Sequence, residues 1–228
     1  NRRAAVLILL FEKEGSLRVL LTTRSKTLRS HPGQTALPGG KYEETDGSLV
    51  ATAYREAFEE IALDVESPHL RIVTTLPPFL SAKKLIVTPT IGLLTDPSVL
   101  DTLVPSPDEV DLIFDHPVKA FLDPTIAVGG NLAPVDSDPW VWEAELHDFH
   151  DFIPGLIIGH GYRMHRFRST GSAITGLTAD IMIFVAEVGY NVTTTFGRWA
   201  PTQLTPLESV LFVLRNEAEV YSEHHEPD

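Results

Sequence analysis

The 228-residue chain contains no cysteine, which excludes disulfide bonds, thiolate metal sites and a cysteine nucleophile. This absence fits a reducing compartment. No apolar run reaches the roughly 18 residues that a membrane-spanning helix needs, and no signal peptide is recognisable. We therefore expect an intracellular protein that is not inserted in a membrane.

Basic residues are also scarce, with 18 Lys and Arg against 31 Asp and Glu, so the net charge is −13. Nucleic-acid backbones and anionic membranes attract positive surfaces, and neither is expected as a partner. A small anionic substrate is still compatible with this charge, because a metal ion and a few local basic side chains can override it. The hydrophobic content of 43% and charged content of 21% are typical of a globular protein.

The most informative stretch covers residues 37–63 and reads LPGGKYEETDGSLVATAYREAFEEIAL. A glycine turn leads into a helix that Ser48 can cap. At about 100° per residue, Glu56, Glu59 and Glu60 fall on one side of this helix. The opposite side is apolar and is predicted to pack on a sheet through Val50, Ala53, Tyr54, Ala57, Phe58 and Ile61.

Carboxylates spaced four residues apart destabilise an isolated helix, so this acidic side needs a cause. A hard cation, Mg²⁺ or Mn²⁺, would favour such a set of oxygen ligands. The alternative is an ordinary solvated acidic face. The preceding Leu-Pro-Gly-Gly turn favours the cation, because glycine lets backbone groups approach a ligand closely. Arg55 can hold a neighbouring carboxylate or a carbonyl of the turn.

The stretch resembles the Nudix box, Gly-x5-Glu-x7-Arg-Glu-U-x-Glu-Glu-x-Gly-U, where U is a bulky apolar residue. Asp46 stands where the first Glu belongs, and one extra residue separates Gly40 from Arg55. Ala62 replaces the late Gly, which is a mild change if the position does not need a positive φ. The positions that match are Gly40, Arg55, Glu56, Ala57, Glu59, Glu60 and Leu63.

The preceding segment, residues 20–40, reads LLTTRSKTLRSHPGQTALPGG and resembles that of the coenzyme A pyrophosphatase subgroup. The two resemblances imply an α/β (α+β) fold, the Nudix-type α/β/α sandwich with a mixed β-sheet. They imply Mg²⁺- or Mn²⁺-dependent hydrolysis of a diphosphate linkage. The substrate would be a small molecule, coenzyme A or a derivative, cleaved to 3′,5′-ADP and 4′-phosphopantetheine. Some relatives are peroxisomal, so we expect a peroxisomal or cytoplasmic location.

The resemblance also implies roles for individual residues. Glu56, Glu59 and Glu60 would be catalytic carboxylates that hold the metal together with a backbone carbonyl of Gly39 or Gly40, and Arg55 would orient them. Glu109, in Ser-Pro-Asp-Glu-Val, is a candidate for a further ligand or the general base; the alternative is a cap of a helix or strand.

Basic residues precede the turn at Arg24, Arg29 and His31, which suits a metal-bridged diphosphate. The alternative is ordinary salt bridging. The subgroup resemblance favours substrate contact by these three residues, by Ser25 and by Gly39 and Gly40.

The rest of the chain predicts further elements. Strands are expected at residues 3–11, 17–23, 70–76, 85–94 and 162–167, and an edge strand at 142–146. Helices are expected at 118–122, at 174–188 with Gly189 as the residue after the helix, and at 205–216 behind a Thr205–Glu208 capping box. Phe79 could line the substrate site or belong to the core.

We expect one Nudix hydrolase domain over residues 1–222, with an insertion at 125–160 and a disordered tail at 223–228. The insertion could be a lid, a dimer surface or a plain loop, and a homodimer is possible. Two other functions stay open. One is a Nudix hydrolase of oxidised nucleoside triphosphates or of dinucleotides such as NADH. The other is a non-catalytic Nudix-fold binding protein, which intact box carboxylates disfavour.

Overall fold

The computed structural model describes residues 2–223, and it describes side chains as far as residue 216. None of the helices in this range is long and apolar enough to cross a membrane. Apart from Glu223, the predicted disordered tail lies outside the described residues. The prediction of a single domain over residues 1–222 stays a prediction.

A mixed eight-stranded sheet forms the centre of the molecule. Its central strand β1 contains an apolar run that is almost completely buried, as expected for a strand covered on both faces. β1 runs parallel to β7 and antiparallel to β2 and β4. The path through the sheet is β3-β2-β1-β7-β5, with β4 beside β1, β6 beside β7 and β8 beside β2. The strands are β1 (Arg3–Lys13), β2 (Ser16–Arg24), β3 (Thr35–Ala36), β4 (Gly39–Lys41), β5 (Leu70–Thr75), β6 (Phe79–Leu80), β7 (Ile86–Leu94) and β8 (Val110–Pro117).

The helices cover the two faces of this sheet and complete the predicted α/β/α sandwich. Helix α1 (Leu49–Ile61) packs on one face, where Ala53, Ala57 and Ile61 are fully buried against β1 side chains such as Leu7. Helix α2 (Gly176–Tyr190) packs on the other face within a second apolar cluster. The layers and the mixed sheet match the fold expected from the sequence.

A second, three-stranded sheet lies in the C-terminal half. Its antiparallel strands β9 (His147–Phe152), β10 (Tyr162–Phe167) and β11 (Ile174–Thr175) have the order β11-β10-β9. The edge strand predicted at 142–146 is wrong, because that segment folds around Trp140. The Trp140 indole is completely buried and its Nε1 donates to the Ala144 carbonyl at 2.7 Å. The edge strand begins after this turn, at His147.

Helices α2 and α3 differ at their ends from the sequence predictions. Helix α2 begins at Gly176, two residues later than predicted, and continues through Gly189 to Tyr190. The capping residue Asn191 adopts the left-handed conformation (φ 53°) that Asn tolerates better than most residues. Helix α3 (Pro206–Glu223) extends past the predicted end near residue 216. Its capping box is confirmed, since Glu208 Oε2 accepts from the Thr205 N–H at 2.8 Å and Thr205 Oγ1 accepts from the Glu208 N–H at 3.4 Å.

Two aromatic side chains of the first half also have definite positions. Phe79 is 2% exposed and meets the Phe184 ring edge-on, so it belongs to the core. Phe58 was predicted to pack on the sheet, but 60% of it is exposed. It lies at the margin of the apolar side of α1, where the helix surface turns away from the sheet.

The last departure is at Ala62, where helix α1 ends. Ala62 has φ 53° and its N–H donates to the Phe58 carbonyl at 2.9 Å, which is a left-handed C-terminal cap. The replacement of glycine by alanine is therefore not mild, because Cβ disfavours this conformation. The side chain is exposed and offers little packing in compensation.

We expect Ala62→Gly to raise the free energy of unfolding by about 1 kcal/mol, because it relieves the strain of a left-handed alanine. Urea denaturation monitored by circular dichroism measures the change. Ala57→Gly, in the buried interior of the same helix, is the matched control and should destabilise the protein by at least about 1 kcal/mol. A lower stability for Ala62→Gly would contradict the assignment of strain to this cap.

Candidate functional site

The site centres on Glu60 in the last turn of α1, whose carboxylate is buried beside two other elements, β4 and β2. Its Oε2 accepts from the Gly39 N–H of β4 at 3.2 Å, and its Oε1 lies 3.5 Å from Arg24 Nη1 at the end of β2. The side chain is only 5% exposed. Burial raises the pKa of Glu60 to about 8, against the opposing effects of the Gly39 N–H and Arg24. Two nearby acids, Glu56 and Glu109, raise this pKa further.

Both glycines of the turn are closely approached by neighbouring groups, and the backbone contacts require glycine at Gly39. A Cβ on Gly39, which has φ 155°, would overlap the Ala5 carbonyl oxygen and the Val6 backbone of the neighbouring strand. A Cβ on Gly40 would overlap the carboxylate of Glu56. The Glu56 carboxylate therefore lies directly against the backbone of β4, and a side chain at Gly40 would displace it from this position.

Arg55 ties the loop between β4 and α1 to the helix. Its Nε and Nη2 donate to the two oxygens of Asp46 at 2.7 and 3.2 Å, and Nη2 also donates to the Lys41 carbonyl at 3.0 Å. Asp46 accepts further bonds from the Glu43 N–H at 2.9 Å and the Thr52 hydroxyl at 2.8 Å. The Arg55 guanidinium, more than any other group, holds the pKa of Asp46 well below its usual range.

The remaining guanidinium nitrogen of Arg55 faces the other helix acids. Its Nη1 lies 3.0 Å from Glu56 Oε1 and 3.0 Å from Glu59 Oε2. The Glu59 side chain is half exposed. Glu56 is more buried, and this burial raises its pKa although the charge of Arg55 acts to lower it. The three acids predicted to act together thus have different surroundings, with Glu59 the most solvated and Glu60 the most buried.

Glu109 comes from a different element but lies beside the helix acids. The Ser106 N–H donates to the Glu60 carbonyl at 2.9 Å, which satisfies a free carbonyl at the end of α1. The Glu109 N–H in turn donates to the Ser106 carbonyl at 3.1 Å, and the Glu109 carbonyl accepts from the Ser25 N–H at 2.8 Å. This chain of backbone bonds positions Glu109 near enough to raise the pKa values of Glu56 and Glu60.

The predicted substrate residues divide into two groups. Ser25 is 3% exposed and its hydroxyl bonds with Thr27 Oγ1 at 3.0 Å, so it shapes the loop from within. Arg29 and His31 are exposed. The His31 ring bonds with Gln34 Oε1 at 2.9 Å, whereas Arg29 has no ion pair or side-chain hydrogen bond to the part of the chain that the structure describes.

Two site features were not predicted from the sequence. Asp46 was noted only as a substitution in the box, although its position in that motif was a signal for its partnership with Arg55. Lys83 reaches from the turn before β7 to Ser30 Oγ at 2.6 Å. No spacing in the sequence indicated that this turn lies beside the 24–34 loop.

The donor set is compatible with a divalent metal ion. No three His, Asp or Glu side chains of the described residues are gathered into a ready-made metal site. Glu56 and Glu109 are nevertheless near enough to Glu60 to raise its pKa, and Arg24 and Arg55 approach the helix acids at 3.5 and 3.0 Å. Oxygen donors with excess negative charge suit a hard cation such as Mg²⁺ or Mn²⁺. Glu56 and Glu60 are the residues best placed to hold it.

A search against models of protein families matches residues 1–152 to the NUDIX domain. The chain is 41% identical over 191 residues to "Nudix hydrolase 15, mitochondrial" of Arabidopsis thaliana, covering 83% of this chain and 59% of that protein. It is 42% identical over 125 residues to "Peroxisomal coenzyme A diphosphatase ndx-8" of Caenorhabditis elegans, covering 54% of this chain and 51% of that protein. The chain thus spans little more than half the length of these two relatives.

Among solved structures, the chain is similar to a Nudix hydrolase of M. smegmatis, RenU, with 23% identity and a TM-score of 0.43. The similarity covers 52% of this chain and 73% of that one.

We expect Asp46→Asn to lower the free energy of unfolding at pH 7 by about 2 kcal/mol, because it weakens a charge-assisted, two-bond contact with Arg55. Folding lowers the pKa of Asp46. The stabilisation from its contact with Arg55 is therefore complete above the pKa of Asp in the unfolded chain, about 3.9, and fades as the pH falls below that value. Urea denaturation at pH 7 and at about pH 3 should therefore show a smaller difference between variant and wild type in acid.

Glu44→Gln is the matched control, since it removes an exposed acid from the same turn. A pH-independent loss in Asp46→Asn, or an equal loss in Glu44→Gln, would contradict the special role of the Asp46–Arg55 pair.

Proposed function

The chain belongs to the Nudix family, and we propose that it is a pyrophosphohydrolase that cleaves the diphosphate linkage of coenzyme A or a related thioester. The observation that carries the proposal is the paired placement of Glu56 and Glu60 beside the glycine turn. The Glu60 carboxylate is bonded to the Gly39 N–H, and the Glu56 carboxylate lies against Gly40. Both acids are held at a backbone that has no side chain to obstruct a phosphate group.

Glu56 and Glu60 would hold the divalent cation, Mg²⁺ or Mn²⁺, with a carbonyl of Gly39 or Gly40. Nudix hydrolases generally use divalent metals, which neutralise diphosphate oxygens and acidify an attacking water. Glu59 would contribute through the Arg55 side chain that it shares with Glu56. Arg55 would orient the carboxylates, because Asp46 and the Lys41 carbonyl fix its position.

We assign the general base to a carboxylate of this cluster, with Glu109 the leading candidate. A base must lie within reach of the water whose proton it accepts. Glu109 is on a separate segment from α1, and its backbone is bonded to Ser25 and Ser106. Its carboxylate would accept the proton of the attacking water at Oε1 or Oε2, while Glu56 and Glu60 would hold the cation.

The substrate class rests on residues 20–40, which precede the box. Arg24 ends β2 next to Glu60, and the exposed Arg29 and His31 follow in the same loop. Lys83 is a fourth basic group beside this loop, because its Nζ donates a hydrogen bond to Ser30 Oγ. These cations can bind the anionic groups of a diphosphate ester. The similarity to a protein named as a coenzyme A diphosphatase supports the same substrate class.

The substrate is tested with purified protein, Mg²⁺ or Mn²⁺, and a panel of coenzyme A, its oxidised and acylated forms, NADH, ADP-ribose and oxidised nucleoside triphosphates. We expect coenzyme A or an acyl form to give the highest kcat/KM, with 3′,5′-ADP and a 4′-phosphopantetheine as products. Preference for NADH or a nucleoside triphosphate would overturn the substrate class but not the hydrolase. Binding without cleavage of any member would support a non-catalytic protein.

We expect Glu60→Gln to reduce turnover by at least about 1,000-fold, because the amide cannot supply the negative charge that the cation requires. Folding should be retained, since the folded protein without metal already favours the neutral form of this buried side chain. Steady-state kinetics with Mg²⁺ and with Mn²⁺ and a thermal melt measure the two effects. The control Glu44→Gln should leave both unchanged, and near-normal turnover in Glu60→Gln would remove the metal assignment.

A further inference from the structure

Strand β9 is an open edge of the three-stranded sheet. The Arg168 N–H donates to the Leu146 carbonyl at 2.9 Å, so these two residues form a hydrogen-bonded pair. In the β9–β10 register, the backbone N–H and C=O groups of every second residue after Leu146, namely Asp148, His150 and Phe152, therefore face β10. The N–H and C=O groups of His147, Phe149 and Asp151 therefore point away from the sheet. They form no backbone hydrogen bond with any other part of the chain that the structure describes.

In the part of the chain that the structure describes, this edge strand contains no Lys, no Pro and no bulge, and its charged residues are two aspartates. Edge strands are usually protected by Lys, Pro, a bulge or a covering segment. β9 reads His-Asp-Phe-His-Asp-Phe, and its pairing with β10 has no irregularity. Apolar side chains along the strand and just beyond its end are open to solvent, with Phe149 44%, Phe152 36% and Ile153 69% exposed.

The order of the side chains along β9 selects a partner. We propose that β9 pairs antiparallel with β9 of a second copy of the chain, around a twofold axis at Phe149. In this register, Phe149 meets Phe149 of the second copy, Asp148 meets His150, and His147 meets Asp151. Every acid is opposite a histidine, and the outward backbone groups bond with one another.

The neighbouring registers lack this match. The outward backbone groups of the two copies face each other only when the twofold axis lies at a residue and not between two residues, so the axis can shift only by whole residues. An axis at Asp148 sets two aspartates against each other, and an axis at His150 sets Asp148 against Phe152. An isologous contact needs a self-complementary surface, and the repeated His-Asp-Phe triplet is self-complementary only about Phe149.

The negative charge of the edge is partly balanced by two arginines of β10. Arg166 Nη1 donates to Asp148 at 2.7 Å and Arg163 Nη2 donates to Asp151 at 2.8 Å, both from β10. The Arg163 guanidinium also lies over the Phe149 ring at 4.0 Å. These contacts lower the net negative charge of each edge, and in the proposed register the two sheets would form a continuous six-stranded sheet across the twofold axis.

The absence of cysteine in the chain allows a test of this register by single substitutions. Phe149→Cys sets two thiols at a hydrogen-bonded pair whose Cα atoms are about 5.5 Å apart, within the disulfide range of about 4.4–6.8 Å. We expect mild oxidation of the full chain to convert most of this variant to a covalent dimer on non-reducing gels. His150→Cys is the matched control. Residue 150 of one copy is only a diagonal neighbour of residue 150 of the second copy, at about 7–8 Å, so this variant should stay largely monomeric.

The association itself is tested by sedimentation velocity from low to high micromolar concentration. Wild type should reach twice the 25.2 kDa chain mass. His150→Glu, which sets Glu against Asp148 twice, should raise the dimer dissociation constant at least tenfold, whereas His150→Lys should change it by less than threefold. A wild-type monomer throughout this range, equal cross-linking of the two cysteine variants, or no cross-linking of Phe149→Cys would each overturn the proposal.

Discussion

The burial of the Glu60 carboxylate is the constraint on which the rest of the site depends. Water is largely excluded from this group, and one backbone N–H together with a 3.5 Å approach by Arg24 replaces its hydration. An ionised carboxylate in such surroundings is costly, which is why burial raises the pKa of Glu60 to about 8. The fold retains an unfavourable group at the junction of α1, β4 and β2, and a cation is the partner that would make this position favourable.

The segments that connect the elements around Glu60 are bonded back to helix α1. The loop between β4 and α1 is fastened by Asp46 and Arg55, and the segment after α1 bonds back through Ser106 to the last turn of the helix. β1, whose apolar run is almost completely buried, lies behind all of this and pairs with the glycine strand β4. A site built on such a support can hold its carboxylates close together despite their mutual repulsion.

The C-terminal half has a different character. Its three-stranded sheet has histidine, phenylalanine and arginine side chains along β9 and β10, and several of these rings and cations stack on one another. Helix α2 joins this part to the central sheet, since it packs under β10 and also contributes to the main apolar core. The exposed edge of β9 therefore belongs to a structure that is firmly attached to the Nudix core.

The sequence alone determined the central architecture, because its signals are local. The apolar run of β1, the Ser48 cap and the spacing of the three glutamates each follow from short-range periodicity, and the motif then fixed the order of the layers. Only the tertiary structure decided the differences among those glutamates, since burial depends on what packs around each side chain. The same is true of the positive φ at Ala62, of the turn around Trp140 that displaces the edge strand, and of the contact between Lys83 and Ser30. Each of these results from groups distant in the chain or from backbone geometry that a residue's identity does not specify.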